Sequence, residues 1–164
     1  HAHGGYGSRR TSCEVGAKEL GVASLRELSL SDLPRAQSQL DDETFRRVRH
    51  IITENQRVLD TLSALREGNL ASLGRLLLES HASMRDDFEI SVAELDLAVE
   101  TAMATGAIGA RMTGGGFGGA AIAIIHKDKL EELARNCEQA FAKAGFKEPR
   151  VFSVTPSEGA KREF

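Results

Sequence analysis

The chain's pattern predicts an α+β fold, an antiparallel sheet packed with helices. Three observations carry that prediction. Apolar residues recur at helical spacing through the first two thirds of the sequence. Past residue 106 the texture turns to short apolar runs, and residues 120–125 have the length and bulk of a buried strand. These runs flank Thr113-Gly114-Gly115-Gly116-Phe117-Gly118-Gly119, so the two strands lie close enough in sequence to pair antiparallel. A doubly wound sheet would instead alternate strands and helices regularly.

In chain order, residues 9–20 read as a helix closed by Gly21. Ser24-Leu25-Arg26-Glu27 has the capping-box pattern and starts a short helical turn. Pro34 belongs to a second short element or a loop after Ser31-Asp32. From residue 41 or 42 to 66, the spacing of Phe45, Val48, Ile51, Ile52, Val58, Leu59, Leu62 and Leu65 predicts one long helix. Gly68 stops it, and Asn69 caps a helix carrying Leu70, Leu73, Leu76 and Leu77. The two helices form an antiparallel hairpin that ends in the polar stretch 80–87.

Ser91-Val92-Ala93-Glu94 is a further capping box, opening a helix through Leu95, Leu97, Val99 and Met103 to Gly106. Strands are expected at 108–113 and 120–126. Asp128-Lys129-Leu130-Glu131 caps a helix that runs to Ala144 and stops at Gly145. Val151, Phe152 and Val154 make 150–155 a final strand, followed by a polar loop or frayed end over 156–164. The expected organisation is one domain over 1–164. Its helical part covers about 8–105 and its strand–loop–strand–helix–strand part about 107–155.

Composition narrows the function. The 164 residues are 41% apolar, enough for a core and against general disorder. Net charge is −3, without the basic excess of a nucleic-acid or anionic-membrane binder. No apolar run has the length of a membrane span. The chain opens His1-Ala2-His3-Gly4-Gly5, without an initiating Met or a secretory pattern, and reads as a fragment or processed product. Cys13 and Cys137 lack metal-site or redox-pair spacing and read as reduced, buried thiols, which points to a cytoplasmic location.

Several constellations bear on chemistry. Gly114, Gly116 and Gly119 satisfy G-x-G-x-x-G, but a strand follows them where a dinucleotide site needs a helix N-terminus. No Lys-Ser or Lys-Thr follows, which excludes a Walker A loop. Two readings stay open: a tight hairpin whose glycines serve geometry alone, or a backbone surface facing a phosphate-bearing site, its N–H groups an anion nest. Tyr6, the only tyrosine, either meets a sugar hydroxyl or packs its ring at a boundary. Ser80, His81, Ser83, Arg85, Asp86 and Asp87 are too close in sequence for a hydrolytic triad and read as capping and ion pairing. His50 and His81 have no second ligand at helical spacing and read as ordinary imidazoles.

The stretch 107–119, Ala-Ile-Gly-Ala-Arg-Met-Thr-Gly-Gly-Gly-Phe-Gly-Gly, resembles the third signature motif of the GHMP sugar and metabolite kinases, in its galactokinase form. Arg47-Val48-Arg49-His50-Ile51-Ile52-Thr53-Glu54-Asn55 is similar to a helix of that family, as is the stretch 79–91 running on into Glu94-Leu95-Asp96. Gly5-Tyr6-Gly7-Ser8-Arg9-Arg10 with Cys13-Glu14 resembles the segment that contributes a galactose-contacting tyrosine.

The resemblance implies transfer of the ATP γ-phosphoryl group to the 1-hydroxyl of galactose, with Mg2+. It implies that Tyr6 binds galactose. It implies that Gly114, Gly115, Gly116, Phe117, Gly118 and Gly119 form a loop lining the active site. No catalytic residue and no metal ligand is carried over to this chain. The sugar-binding first motif, the phosphate loop and the catalytic Asp and Arg belong to an N-terminal domain, so this fragment alone is expected to be inactive and to bind no cofactor tightly. Two alternatives share the fold: a non-catalytic galactose sensor, and a related kinase acting on N-acetylgalactosamine. A fragment cut from its other half is also expected to expose an apolar seam or to self-associate.

Overall fold

Helix stops and caps set the order of elements. The structure is a computed structural model that describes residues 2–159 and 162. His1 and residues 160, 161, 163 and 164, part of the expected polar tail, lie outside the described residues. The elements are α1 (Ala2–Glu19), 3-10 turns at Leu25–Glu27 and Leu30–Asp32, α2 (Leu33–Gln39), α3 (Asp42–Arg66) and α4 (Leu70–Asp86). They continue with α5 (Ala93–Ala104), β1 (Gly109–Thr113), β2 (Ala120–Ile124), a 3-10 turn at Lys127–Lys129, and α6 (Leu130–Ala144).

Local chemistry accounts for most boundaries. α1 closes on Gly21, which is left-handed at φ 71°, while Val22 N–H reaches back to the Ala17 carbonyl. Ser24 and Glu27 complete the capping box, and Asp41 accepts from the N–H groups of Glu43 and Thr44 at the head of α3. Asn69 accepts from Ser72 N–H at the head of α4. α6 ends at Gly145, with Phe146 folded back edge-on to Phe141.

Four sequence expectations need correction. α1 begins at Ala2, well before residue 9, although glycine is a poor helix former. Gly5 packs so closely on the Phe117 ring that any Cβ there would sit 2.4 Å from it, so tertiary contact overrides propensity. Ser91 does not cap α5. Its hydroxyl donates to Asp96 at 2.5 Å, and the helix starts one residue later than the box implied. Asp128 likewise accepts from His126 rather than capping α6. Residues 150–155 form no strand: Val151 packs on the core, but Phe152 and Val154 are exposed, and the segment joins no sheet ladder.

The two strands pair antiparallel from Gly109↔Ile124 to Thr113↔Ala120. Three apolar clusters hold the chain together. The first joins α1, the 3-10 turn, α2 and the N-terminal half of α3 through Leu20, Leu25, Ala36, Val48 and Ile52. The second packs α5 and α6 on the strands through Val99, Ala102, Ala110, Leu133 and Cys137. The third, Met84, Ile90, Leu95 and Met112, lies beneath the glycine loop, with Phe88 and Phe117 packed against it. The far half of α3 leaves the core: Val58, Leu59, Leu62 and Leu65, all read as one helical stripe, are exposed.

Candidate functional site

A cleft of about 330 Å³ lies between α1, the loop after α4 and the glycine loop. From α1 it takes Tyr6, Arg9, Arg10 and Cys13, an i, i+3, i+4, i+7 stripe on one helix face. The loop after α4 adds Phe88 and Ile90, and the glycine loop adds Gly114, Gly115 and Phe117. Tyr6 and the glycine loop, 108 residues apart at their nearest in sequence, therefore face one space. Tyr6 is 65% exposed, and its hydroxyl makes no hydrogen bond among the described residues.

The glycine loop, residues 114–119, joins β1 to β2, so no helix N-terminus follows it. Its backbone is left-handed at Gly114, Gly116, Phe117, Gly118 and Gly119. Phe117 carries this conformation with a full side chain, at φ 61°, against the steric preference of an L-residue. Two contacts hold it. Its N–H donates to the Ile90 carbonyl at 2.8 Å, and its ring meets Gly5.

The opposing loop, 87–91, is fixed by arginines from α1 and α3. Arg9 Nε and Nη2 donate to the carbonyls of Phe88 (2.5 Å) and Glu89 (3.0 Å). Arg47, 1% exposed, donates to the Asp87 carbonyl and to the Glu89 carboxylate, each at 2.5 Å, and to Glu43 at 3.2 Å. Its hydrogen bond pulls the Glu89 carboxyl below the usual range. Arg49 grips the Asp87 carboxylate through two nitrogens.

Both histidines tie elements together. His50 on α3 stacks on Phe88 with ring centroids 4.4 Å apart and meets the Ser83 hydroxyl at 2.9 Å. Burial pushes its pKa down to about 4. His81 on α4 accepts the Met112 N–H of β1 at Nδ1 (3.2 Å) and turns Nε2 toward Asp96 of α5, also at 3.2 Å. Burial lowers its pKa too, which keeps the neutral tautomer that this acceptor role requires.

The polar stretch 80–87 is helical to Asp86 and partly buried. A Ser, a His and an Asp do converge there, in Ser83, His50 and Asp87. The carboxylate lies on the serine side at 3.5 Å rather than on the imidazole, so it does not orient a base. Among the described residues no three His, Cys, Asp or Glu side chains converge in a group that could hold a metal ion. No helix among them is long and apolar enough to cross a membrane.

Arg9, Phe88 and Ile90 were not singled out by sequence reasoning as parts of a site. Arg9 was legible as the i+3 neighbour of Tyr6. The Phe88-x-Ile90 pair signalled itself only as apolar residues directly after two aspartates.

An antiparallel hairpin whose glycine loop is clamped into a cleft by helices, with no helix after the loop, belongs to neither dinucleotide-binding nor Walker-type proteins. The comparison with family models supplies the class that fits, a kinase C-terminal domain. The family model described as GHMP kinases C terminal matches residues 61–143, about half of the chain, and the chain belongs to that family. It is 51% identical over 164 residues to the galactokinase of Streptomyces coelicolor, covering 99% of this chain and 42% of that protein. It is 46% identical over 160 residues to the galactokinase of Mycobacterium tuberculosis, covering 98% and 44%. The crystal structure of Lactococcus lactis galactokinase complexed with galactose matches with a TM-score of 0.82 at 35% identity, over 86% of this chain and 38% of that one. The chain thus spans less than half the length of these relatives.

Proposed function

We propose that this chain is the C-terminal part of a cytoplasmic galactokinase and forms one wall of its sugar and phosphate site. In the full-length enzyme the ATP γ-phosphoryl group passes to the 1-hydroxyl of galactose. On this reading residues 1–164 are one domain. Tyr6 hydrogen-bonds galactose, the loop Gly114–Gly119 shapes the site, and ATP, Mg2+ and the catalytic groups are held by the remainder of the protein. The observation that carries the reading is the cleft shared by Tyr6 and the glycine loop. The galactokinases among its relatives support it.

Phosphoryl transfer is chiefly positioning and charge stabilisation, and a wall that fixes the acceptor sugar contributes to the first. The test is a coupled ADP-release assay. The full-length protein turns over with galactose, and the 164-residue chain alone gives none. Tyr6→Phe in the full-length protein raises the galactose KM by about tenfold and leaves the ATP KM within about twofold, as loss of one ground-state hydrogen bond to the sugar requires. Turnover by the isolated chain, or a full-length protein that phosphorylates N-acetylgalactosamine and not galactose, overturns the proposal.

A further inference from the structure

The geometry points to Arg9 as a positioning residue that fixes the spacing between Tyr6 and the glycine loop, a role that rests on the reading of Tyr6 as a galactose ligand. Three segments form a closed circuit of contacts, and Arg9 closes it. Lying one helical turn beyond Tyr6 on α1, its guanidinium holds two successive carbonyls, Phe88 through Nε at 2.5 Å and Glu89 through Nη2 at 3.0 Å. Glu89 is left-handed at φ 51°. The next carbonyl, Ile90, accepts the Phe117 N–H at 2.8 Å. The Phe117 ring then returns to α1, where it lies against Gly5 and 5.9 Å from the Arg9 guanidinium carbon. Gly5 immediately precedes Tyr6.

Each link is short-range, so the circuit transmits position. Glu89 and Phe117 both hold backbone conformations that side-chain-bearing residues disfavour, and such conformations persist only where surrounding contacts over-determine them. Arg9 holds the Glu89 carbonyl directly, while Arg46 and Arg47 hold its carboxylate, and Arg9 reaches Phe117 through Ile90. Without it, two carbonyls lose their donors and the third is no longer aimed. A lysine cannot replace it, because one ammonium does not present two coplanar N–H groups to neighbouring carbonyls.

The test uses the full-length kinase carrying this chain, with Arg9→Gln, Arg9→Lys, Tyr6→Phe and the Arg9→Gln/Tyr6→Phe double variant. Arg75→Gln, an exposed arginine in the second turn of α4, is the charge control. The expected result for Arg9→Gln is a galactose KM raised by about tenfold with the ATP KM within about twofold, not rescued by Arg9→Lys. Because Arg9 acts through Tyr6, the double variant loses little more than the worse single. Effects that multiply overturn the positioning role.

Hydrogen exchange gives a readout independent of sugar. The Phe117 amide loses protection in Arg9→Gln while the Met112 amide, held by His81, keeps it. Unchanged protection at Phe117 overturns the circuit itself. A freed Phe117 amide together with a Tyr6→Phe variant of unaltered galactose KM overturns the sugar-site reading, and the positioning role with it, while leaving the circuit standing. Should Arg9→Gln fail to fold, Gly5→Ala drives a methyl group into the Phe117 ring from the other side, and the same galactose-specific rise is expected.

Discussion

Gly115 and Gly116 are neighbours in one glycine loop, yet the structure separates them sharply. A Cβ on Gly116 would lie 2.5 Å from the Ile90 Cβ and 2.6 Å from the Ile90 carbonyl oxygen, at a backbone φ of 82°. A Cβ on Gly115 meets nothing within 4 Å, and its φ is not in the left-handed region. Gly116→Ala therefore incurs two costs. Left-handed backbone with a side chain costs about 1–2 kcal/mol. Restoring ordinary contact needs a shift of about 0.9 Å, from 2.5 to 3.4 Å, against a backbone carbonyl that cannot swing aside without releasing Phe117 N–H. Overpacking of that kind adds about 1–3 kcal/mol. The expected loss is about 2–5 kcal/mol, or roughly 4–20 °C in Tm for a chain of this length.

Gly115→Ala is expected to be neutral or to stabilise slightly, by up to about 1 kcal/mol, through the unfolded chain. Thermal and urea unfolding of the two variants side by side decide the matter, with Phe117 amide exchange as the local probe. Equal destabilisation by both refutes the argument, because it would mean that glycine content, not the Ile90 contact, sets the loop's requirement.

Other expectations follow from the same contacts. Gly74→Ala places a Cβ 2.0 Å from the Ile108 carbonyl, backbone against backbone between α4 and β1, and destabilises by about 1–3 kcal/mol in urea unfolding despite alanine's better helix propensity. Arg47→Met leaves the buried Asp87 carbonyl without that donor and removes one partner of the Glu89 carboxylate, which keeps Arg46, and lowers stability by about 1–3 kcal/mol, while the swap of exposed Arg75 to Met changes it by under about 0.5 kcal/mol. Acid stability follows His50. Above pH 6.5 it is neutral folded and unfolded. As pH falls from 6.5 toward about 4 only the unfolded chain takes up the proton, so stability drops across that window, by roughly 3 kcal/mol in all. Urea midpoints measured between pH 7 and pH 4 for the parent and for His50→Gln test this: the parent's steeper fall is expected to flatten in the variant.

Local signals made the helices, caps and hairpin legible, and non-local ones hid the rest. Asp41, Asn69, Gly21 and Gly145 each act within a few residues, and each stands where its chemistry placed it. Gly5 misled for the opposite reason. Nothing near it in sequence says that a phenylalanine 112 positions later needs its missing Cβ. The apolar stripe of α3 set the helix's existence but not its burial, because a period says which residues share a face and not whether another element reaches it. Residues 150–155 fail likewise: alternation makes a strand only beside a partner ladder. Tyr6 and the glycines were singled out through the resemblance of their segments to a kinase family, and the structure brings them to one cleft. The arginine contacts that set their separation arise only when 9, 47 and 88–90 meet.

Arg9 and Arg10 line the cleft, and Arg46, Arg47 and Arg49 hold the chain beside it. Each gives at least one donor to a protein oxygen, although Arg46 Nε and Arg47 Nε are buried without a partner among the described residues. Arg9 holds two carbonyls, Arg10 pairs with Glu14, Arg46 with Glu89, Arg47 with Asp87, Glu43 and Glu89, and Arg49 with Asp87. A group meant to stabilise charge developing on a transferring phosphoryl must aim free donors at it in the transition state. These guanidinium groups aim theirs at protein oxygens, three of them at backbone or buried carboxylate of the 87–89 loop. Their positive charge is matched locally by Glu14, Glu43, Asp87 and Glu89, so little of it is left to draw a triphosphate. The physical role that remains is geometric: holding a tyrosine, a ring and a glycine backbone at fixed spacing. That is why loss of Arg9 should register in the sugar KM and not in the ATP KM, and why an equal rise in both would mark it as a charge contact instead.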